Sequence, residues 1–336
     1  MKLFRIIAAG ATAAALAGSA FAAGGAAHPH GPEGGFPFEG PLGKFEMDSV
    51  QRGYQVYSEV CASCHSMKLL SYRNLGEKGG PFYDPDYPNA NDNPLVKAFA
   101  AQNEILDTVP NDIGEYDYRP ARPSDAFRSP YANDAAAAAA NGGAIPPDLS
   151  VITKARHGGA SYIYSLMTGY PEEEAILGER LVSEASDGGT PDDPSDDTFA
   201  VYVTMIDPAK VHGSGLEAHG DTSHHESVLL QNVGQYYNPY MPGDTTPSFE
   251  GDPRHPPAGG FLAMPPQLAD GRVEYLDGTE ATVEQMAYDV AQFLAWAGEP
   301  KQQNRKSLGL ATIAYLVFFA ILLWLSYKRI WRNVDH

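Results

Sequence analysis

The sequence predicts a mainly α protein, a loop-rich domain followed by one C-terminal transmembrane helix. Three observations predict it. Apolar residues recur at helical spacing in two well-separated segments, near residues 50–61 and 283–297. The 336 residues include 34 glycines and 27 prolines, which favour long connections between few regular elements. Residues 308–327 carry no charge and match the thickness of one bilayer.

Taken in order, the chain opens with Lys2 and Arg5, an apolar run from Ile6 to Ala17, and the small-x-small site Ala20, Phe21, Ala22. This is the layout of a cleavable signal peptide over residues 1–22, and its apolar run is too short to span a bilayer. Residues 23–44 are rich in Gly, Pro and His and read as a flexible N-terminal arm. An exported domain is expected over residues 45–300. Its first helix follows Ser49 and carries Val50, Tyr54, Tyr57 and Cys61 on one face. Residues 79–131 hold many Pro, Asn and Asp and predict long loops. Asn133 is placed to cap a short alanine helix that stops at Asn141, Gly142 and Gly143, and another helix is expected from Ser161 to Thr168.

Residues 171–199 hold ten acidic side chains against one basic, Arg180, the pattern of a solvated loop, with a docking surface as the functional alternative. Residues 242–260 are a further Pro- and Gly-rich excursion. Thr282, with Gln285 three residues on, then makes a capping box. The helix it starts presents Val283, Met286, Val290, Phe293, Leu294 and Ala297 as an apolar stripe, ended by Gly298, Glu299 and Pro300. The transmembrane helix over 308–327 is followed by Lys328, Arg329 and Arg332, but Lys301, Arg305 and Lys306 balance them. Orientation therefore rests on export of the N-terminal part, which leaves the tail 328–336 cytoplasmic.

The formal charge is −19, from 42 acidic and 23 basic residues. A chain this acidic is ill-suited to nucleic acid, whose phosphates need a basic surface, and better suited to a basic protein partner.

The chemistry is concentrated at Cys61, Ala62, Ser63, Cys64 and His65, a haem c attachment pattern. Cysteines three apart share one face, so both sulfurs can form thioethers with the two vinyl groups of one haem. His65 then offers its imidazole to the iron from the same side. Zinc on Cys61, Cys64 and His65 would need a fourth ligand, and a redox dithiol would need a thioredoxin-like context. One motif predicts one covalently bound haem c. A second axial methionine would close the iron to substrates and raise its potential, as suits electron transfer. Met1 leaves with the signal peptide, Met67 is too close to His65, and Met286 lies in the core stripe; Met167 and Met205 have no distinguishing surroundings. Met241 and Met264 remain, each in a Pro-stiffened loop, with Met264 closer to the helix that starts at Thr282.

These residues resemble the cytochrome c1 family of the cytochrome bc1 complex. The resemblance runs through residues 52–57 (RGYQVY) and 61–67, Tyr72 and Arg73, 141–149 (NGGAIPPDL) and 155–159 (ARHGG). It resumes at 237–240 (YNPY), Met264, Pro265 and Pro266, then 277–279 (DGT) and 296–300 (WAGEP), and ends in the C-terminal span. It covers roughly 45–170 and 236–330, leaving 171–235 and 242–260 as insertions. It also lacks the extra cysteine pair of some bacterial members, which leaves packing or prolines to stiffen the loop before Met264.

The resemblance implies a class I cytochrome c-like haem domain on the outer, periplasmic side of a bacterial inner membrane. It implies Met264 as the second iron ligand, Arg156 as the partner of a haem propionate, and Asn141 and Tyr162 near the haem edge. The implied partners are cytochrome b, a Rieske iron–sulfur protein and a cytochrome c acceptor, in a dimeric complex. An alternative is a membrane-anchored cytochrome serving a terminal oxidase. A peroxidase-like haem enzyme would require an open iron position, and a metal-binding role would draw on His212, His219, His224 and His225.

Overall fold

The computed structural model describes residues 25–184, 200–217 and 227–332. The signal peptide expected over 1–22, most of the acidic stretch after Glu184, His219, His224, His225 and the last four residues lie outside them. Two compact units divide the chain: one takes His30–Tyr164 and Leu268–His336, the other Met1–Pro29 and Ser165–Gln267.

The first unit is helical. Along the chain come α1 (Met47–Glu59), α2 (Pro94–Ala101), α3 (Asp134–Ala140), α4 (Ile152–Ala155), α5 (Ala160–Thr168, continuing past the unit boundary), α6 (Val283–Gly298) and α7 (Gln302–Trp331), with a small antiparallel pair, β1 (Glu104–Leu106) and β2 (Tyr118–Pro120), in the region expected to be loop. The expected caps form: Asn133 Oδ1 accepts from the Ala136 amide at 2.9 Å and Thr282 Oγ1 from the Gln285 amide at 3.1 Å. In α1, Val50, Gly53, Tyr54, Val56 and Tyr57 are buried, and in α6 Met286, Val290, Phe293, Leu294 and Trp296.

The two helices cross at Gly53, where a Cβ would stand 2.0 Å from the carbonyl oxygen of Asp289. Only glycine admits so close an approach. The same crossing buries a carboxylate. Asp289 is fully buried and accepts from Arg52 Nε at 2.9 Å, Ser49 Oγ at 2.5 Å and Gln285 Nε2 at 3.1 Å, while Arg52 reaches Asp277 at 2.8 Å. A buried charge so completely hydrogen-bonded fixes the register of two helices, and removing Arg52 would leave the carboxylate buried without its charge partner.

The arm expected to be flexible over 23–44 is in large part packed. Phe36 and Phe38 are 4% and 6% exposed, Phe36 stacks on Tyr288 of α6 at 5.5 Å, and the Lys306 ammonium donates to the Phe38 carbonyl. The Gly and Pro content masked aromatic anchors that need little regular structure to be buried. α7 contains the expected span 308–327; it is the one described helix long and apolar enough to cross a membrane, and its side chains face outward.

The second unit is built on strands: β3 (Ile176–Ser183), β4 (Val201–Ile206), β5 (Val228–Asn232), β6 (Tyr236–Asn238), β7 (Phe249–Glu250) and β8 (Gly260–Leu262). β3, β4, β5 and β7 form an antiparallel sheet in that order, and β6 pairs with β8. Ala175, Ile206, Val211, Leu229 and Tyr237 are its core. The expectation of a solvated loop over 171–199 therefore fails for 176–183. Ile176, Leu177, Leu181 and Val182 supply β-forming residues, but on an edge strand they stay half-exposed, so no burial alternation offset the charge count. The mainly α expectation holds for the first unit and is corrected by this sheet.

Candidate haem site

α1 delivers the motif. Its last turn passes into a 3₁₀ turn at Cys61–Ser63, and the Cys64 and His65 amides both donate to the Cys61 carbonyl, at 3.1 and 2.9 Å. That turn keeps both free thiols and the imidazole on a single short stretch. Burial and the neighbouring Cys64 push the Cys61 thiol up to about 12. A reactive dithiol calls for the opposite shift, whereas a sulfur destined for a thioether needs no thiolate in the folded chain.

His65 is aimed by the chain opposite. A carbonyl can only accept, so the 2.8 Å contact between His65 Nδ1 and the Pro147 oxygen puts the proton on Nδ1. In a neutral ring Nε2 then keeps its lone pair, and burial lowers the imidazole's pKa despite the opposing effects of that hydrogen bond and of Asp148. Fixing the far nitrogen to set the tautomer is the usual device for a histidine that ligates metal. Two thiols at haem spacing and an imidazole with a free, oriented Nε2 fit a covalently attached haem.

Asp148 locks the supporting loop. Its carboxylate accepts from Ser66 Oγ at 2.8 Å and from the Lys68 and Ser150 amides at 2.9 Å each. Burial would raise this carboxyl, but those hydrogen bonds outweigh it and hold it below the usual carboxylate range. Ser150 Oγ also accepts from the Leu69 amide at 3.0 Å. Pro147, Asp148 and Ser150 were not singled out as site residues in the sequence, although they lie in the NGGAIPPDL segment. The polar Asp between two apolar positions was the available signal.

Of the other expected residues, Asn141 ends α3 and its amide donates to the Ala137 carbonyl at 2.7 Å. Arg156 ends α4 and is exposed; Tyr162 on α5 is buried, which raises its hydroxyl against the pull of the Arg156 charge. Arg156 and Tyr162 are thus neighbours in the unit that holds His65. Met264 belongs to the other unit. There β8 pairs with β6 just before it, the Tyr170 hydroxyl donates to the Met264 carbonyl at 2.8 Å, and Gln267 Nε2 to the Pro265 carbonyl at 3.0 Å. A strand ladder therefore stiffens this loop as well as its prolines. Met241 follows the Asn238–Tyr240 turn, its amide donating to the Asn238 carbonyl at 3.2 Å.

His212 lies 3.4 Å from Glu217 and is largely exposed, and among the described residues no group of three or more His, Cys, Asp or Glu is placed to hold a metal.

Comparison with known proteins agrees with this geometry. A family model described as the Cytochrome C1 family matches residues 36–334. Cytochrome c1 of Rhodospirillum rubrum is 37% identical over 95% of this chain and 96% of its own length. A mitochondrial cytochrome c1 of Arabidopsis thaliana is 37% identical over 89% of this chain and 71% of its own. The cytochrome b/c1 of Bradyrhizobium diazoefficiens is 37% identical over 90% of this chain, which spans only 36% of that longer protein.

Proposed function

Because the chain belongs to the cytochrome c1 family, we propose that it is the electron-transfer subunit of ubiquinol–cytochrome c reductase, taking electrons from a Rieske iron–sulfur protein and passing them to a cytochrome c. The observation that carries this reading is the imidazole of His65, held by the Pro147 carbonyl one residue after a pair of cysteines at haem spacing.

Cys61 and Cys64 would hold one haem covalently, and His65 and Met264 would bind its iron. Held in this way the group would supply single-electron transfer. Around it the chain's own residues do three things. Pro147 and Asp148 fix the His65 ring and the loop behind it; Arg156 offers a guanidinium to a propionate; Asn141 and Tyr162 close the edge of the site. A class I cytochrome c arrangement, with α1 and α6 crossing behind the motif, suits these roles.

The domain 45–300 would then stand in the periplasm with the segments 171–235 and 242–260 as insertions. Residues 308–327 would cross the inner membrane once, with the tail in the cytoplasm, beside cytochrome b in a dimeric complex. Excess acidic charge suits a basic cytochrome c acceptor.

Purification of the complex in mild detergent tests this. The expected result is one haem that stays with the chain after denaturation in SDS, and a cytochrome b and a Rieske protein copurifying with it. Copper–haem oxidase subunits in their place would point to the terminal oxidase instead.

A further inference from the structure

The helical unit holds a cavity of about 330 Å³ that none of Cys61, Cys64, His65, Asn141, Arg156 or Tyr162 lines. Tyr54, Tyr57, Tyr72 and Phe127 line it, and Ala62 and Ser63, the residues between the two cysteines, border it. It opens to the surface, and its volume has room for a ring and a substituent.

Three of its polar groups, the Tyr54 and Tyr72 hydroxyls and the Arg128 guanidinium, can donate to a ligand. The Tyr54 ring is buried, and its hydroxyl, which has no hydrogen-bond partner among the described residues, is not closed off from solvent and can meet a ligand in the cavity. The Tyr72 hydroxyl accepts from the Arg128 amide at 3.4 Å, which leaves its own proton to give. The Arg128 guanidinium has no ion pair among the described residues. By contrast the Asn103 amide is spent on the Phe99 carbonyl and the Ser63 hydroxyl on that of Val60. No Asp or Glu lines the cavity, in a chain with 42 acidic residues. Burial pushes the Tyr54 and Tyr72 hydroxyls up, so both remain donors at neutral pH.

We infer that this cavity binds a small aromatic carboxylate, its ring against Tyr54, Tyr72 and Phe127 and its carboxylate on the Arg128 guanidinium and the Tyr54 hydroxyl. Aromatic walls supply stacking area and edge contacts to a ring. A guanidinium with one neutral donor beside it is the arrangement that selects a carboxylate over an uncharged substituent. Inorganic phosphate would meet the same charge but would leave the rings unfilled.

Calorimetric titration of benzoate into the purified, haem-loaded full-length protein tests the inference. Saturable binding is expected, with benzyl alcohol and inorganic phosphate each at least about tenfold weaker. Arg128→Gln should weaken benzoate about tenfold and Tyr54→Phe several-fold, both with the haem absorption spectrum unchanged. Arg128 is exposed, so its variant is the one that keeps the fold if Tyr54→Phe does not. The inference is overturned if benzoate shows no saturable binding, if benzyl alcohol or phosphate matches it, or if Arg128→Gln leaves its affinity unchanged. None of these outcomes bears on the haem ligands.

Discussion

The two units of this chain hold themselves together by different means. In the helical unit the α1–α6 crossing packs rings together, among them Tyr54, Tyr57, Phe293 and Trp296, and buries one carboxylate that organises Ser49, Arg52 and Gln285. In the sheet unit a small apolar cluster that includes Ala175, Ile206, Val211, Leu229 and Tyr237 is combined with strand ladders. The helical unit carries Cys61, Cys64 and His65 on one short turn, and three groups so close together need a rigid platform behind them.

That contrast can be broken most forcefully at Asp289. Asp289→Ala leaves Arg52 without its buried partner and is expected to cost about 3–5 kcal/mol, read from denaturant unfolding followed at the haem band. A loss under about 1 kcal/mol would mean the rings alone hold the crossing.

The sheet unit should respond to volume instead. Leu229→Ala in its core is expected to cost about 3 kcal/mol, while Leu181→Ser on the half-exposed edge strand should stay within about 0.5 kcal/mol of the parent. Equal costs at the two positions would mean that β3 is covered in the assembled protein.

The smallest effect sharpens the description of the haem platform. Asp148→Asn should cost about 1–2 kcal/mol at neutral pH. Because the folded carboxyl titrates below its ordinary value, the contribution is complete above the unfolded pKa and disappears as pH falls through the folded one. Unfolding measured against pH should therefore show parent and variant converging below about pH 4. A gap that does not narrow as pH falls below about 4 would show that shape, not charge, is what the side chain contributes.

The same contrast decides what could be read from the sequence. The helical unit was legible because its signals are local: a 3.6-residue stripe from Val283 to Ala297, the caps Asn133 and Thr282, and a five-residue motif. The sheet was not, because its strands are short, its edge strand is strewn with charge, and its pairing is between segments such as 176–183 and 201–206 that are joined by an acidic connection. Phe36 and Phe38 were overlooked for a related reason, since their burial depends on Tyr288 and Lys306, some 250 residues away. At the site, the cysteines and His65 announce themselves by spacing. Pro147 acts through a carbonyl, which no side chain advertises.

The central proposal is that Cys61 and Cys64 would attach one haem and that His65 and Met264 would bind its iron. The visible absorption spectrum of Met264→Leu, beside that of Met241→Leu, tests it most directly. The account predicts that Met264→Leu keeps its haem bound through Cys61 and Cys64 but loses the methionine–iron band and the low-spin six-coordinate spectrum, while Met241→Leu keeps both. Loss of the band in Met241→Leu, with Met264→Leu unaltered, would contradict it.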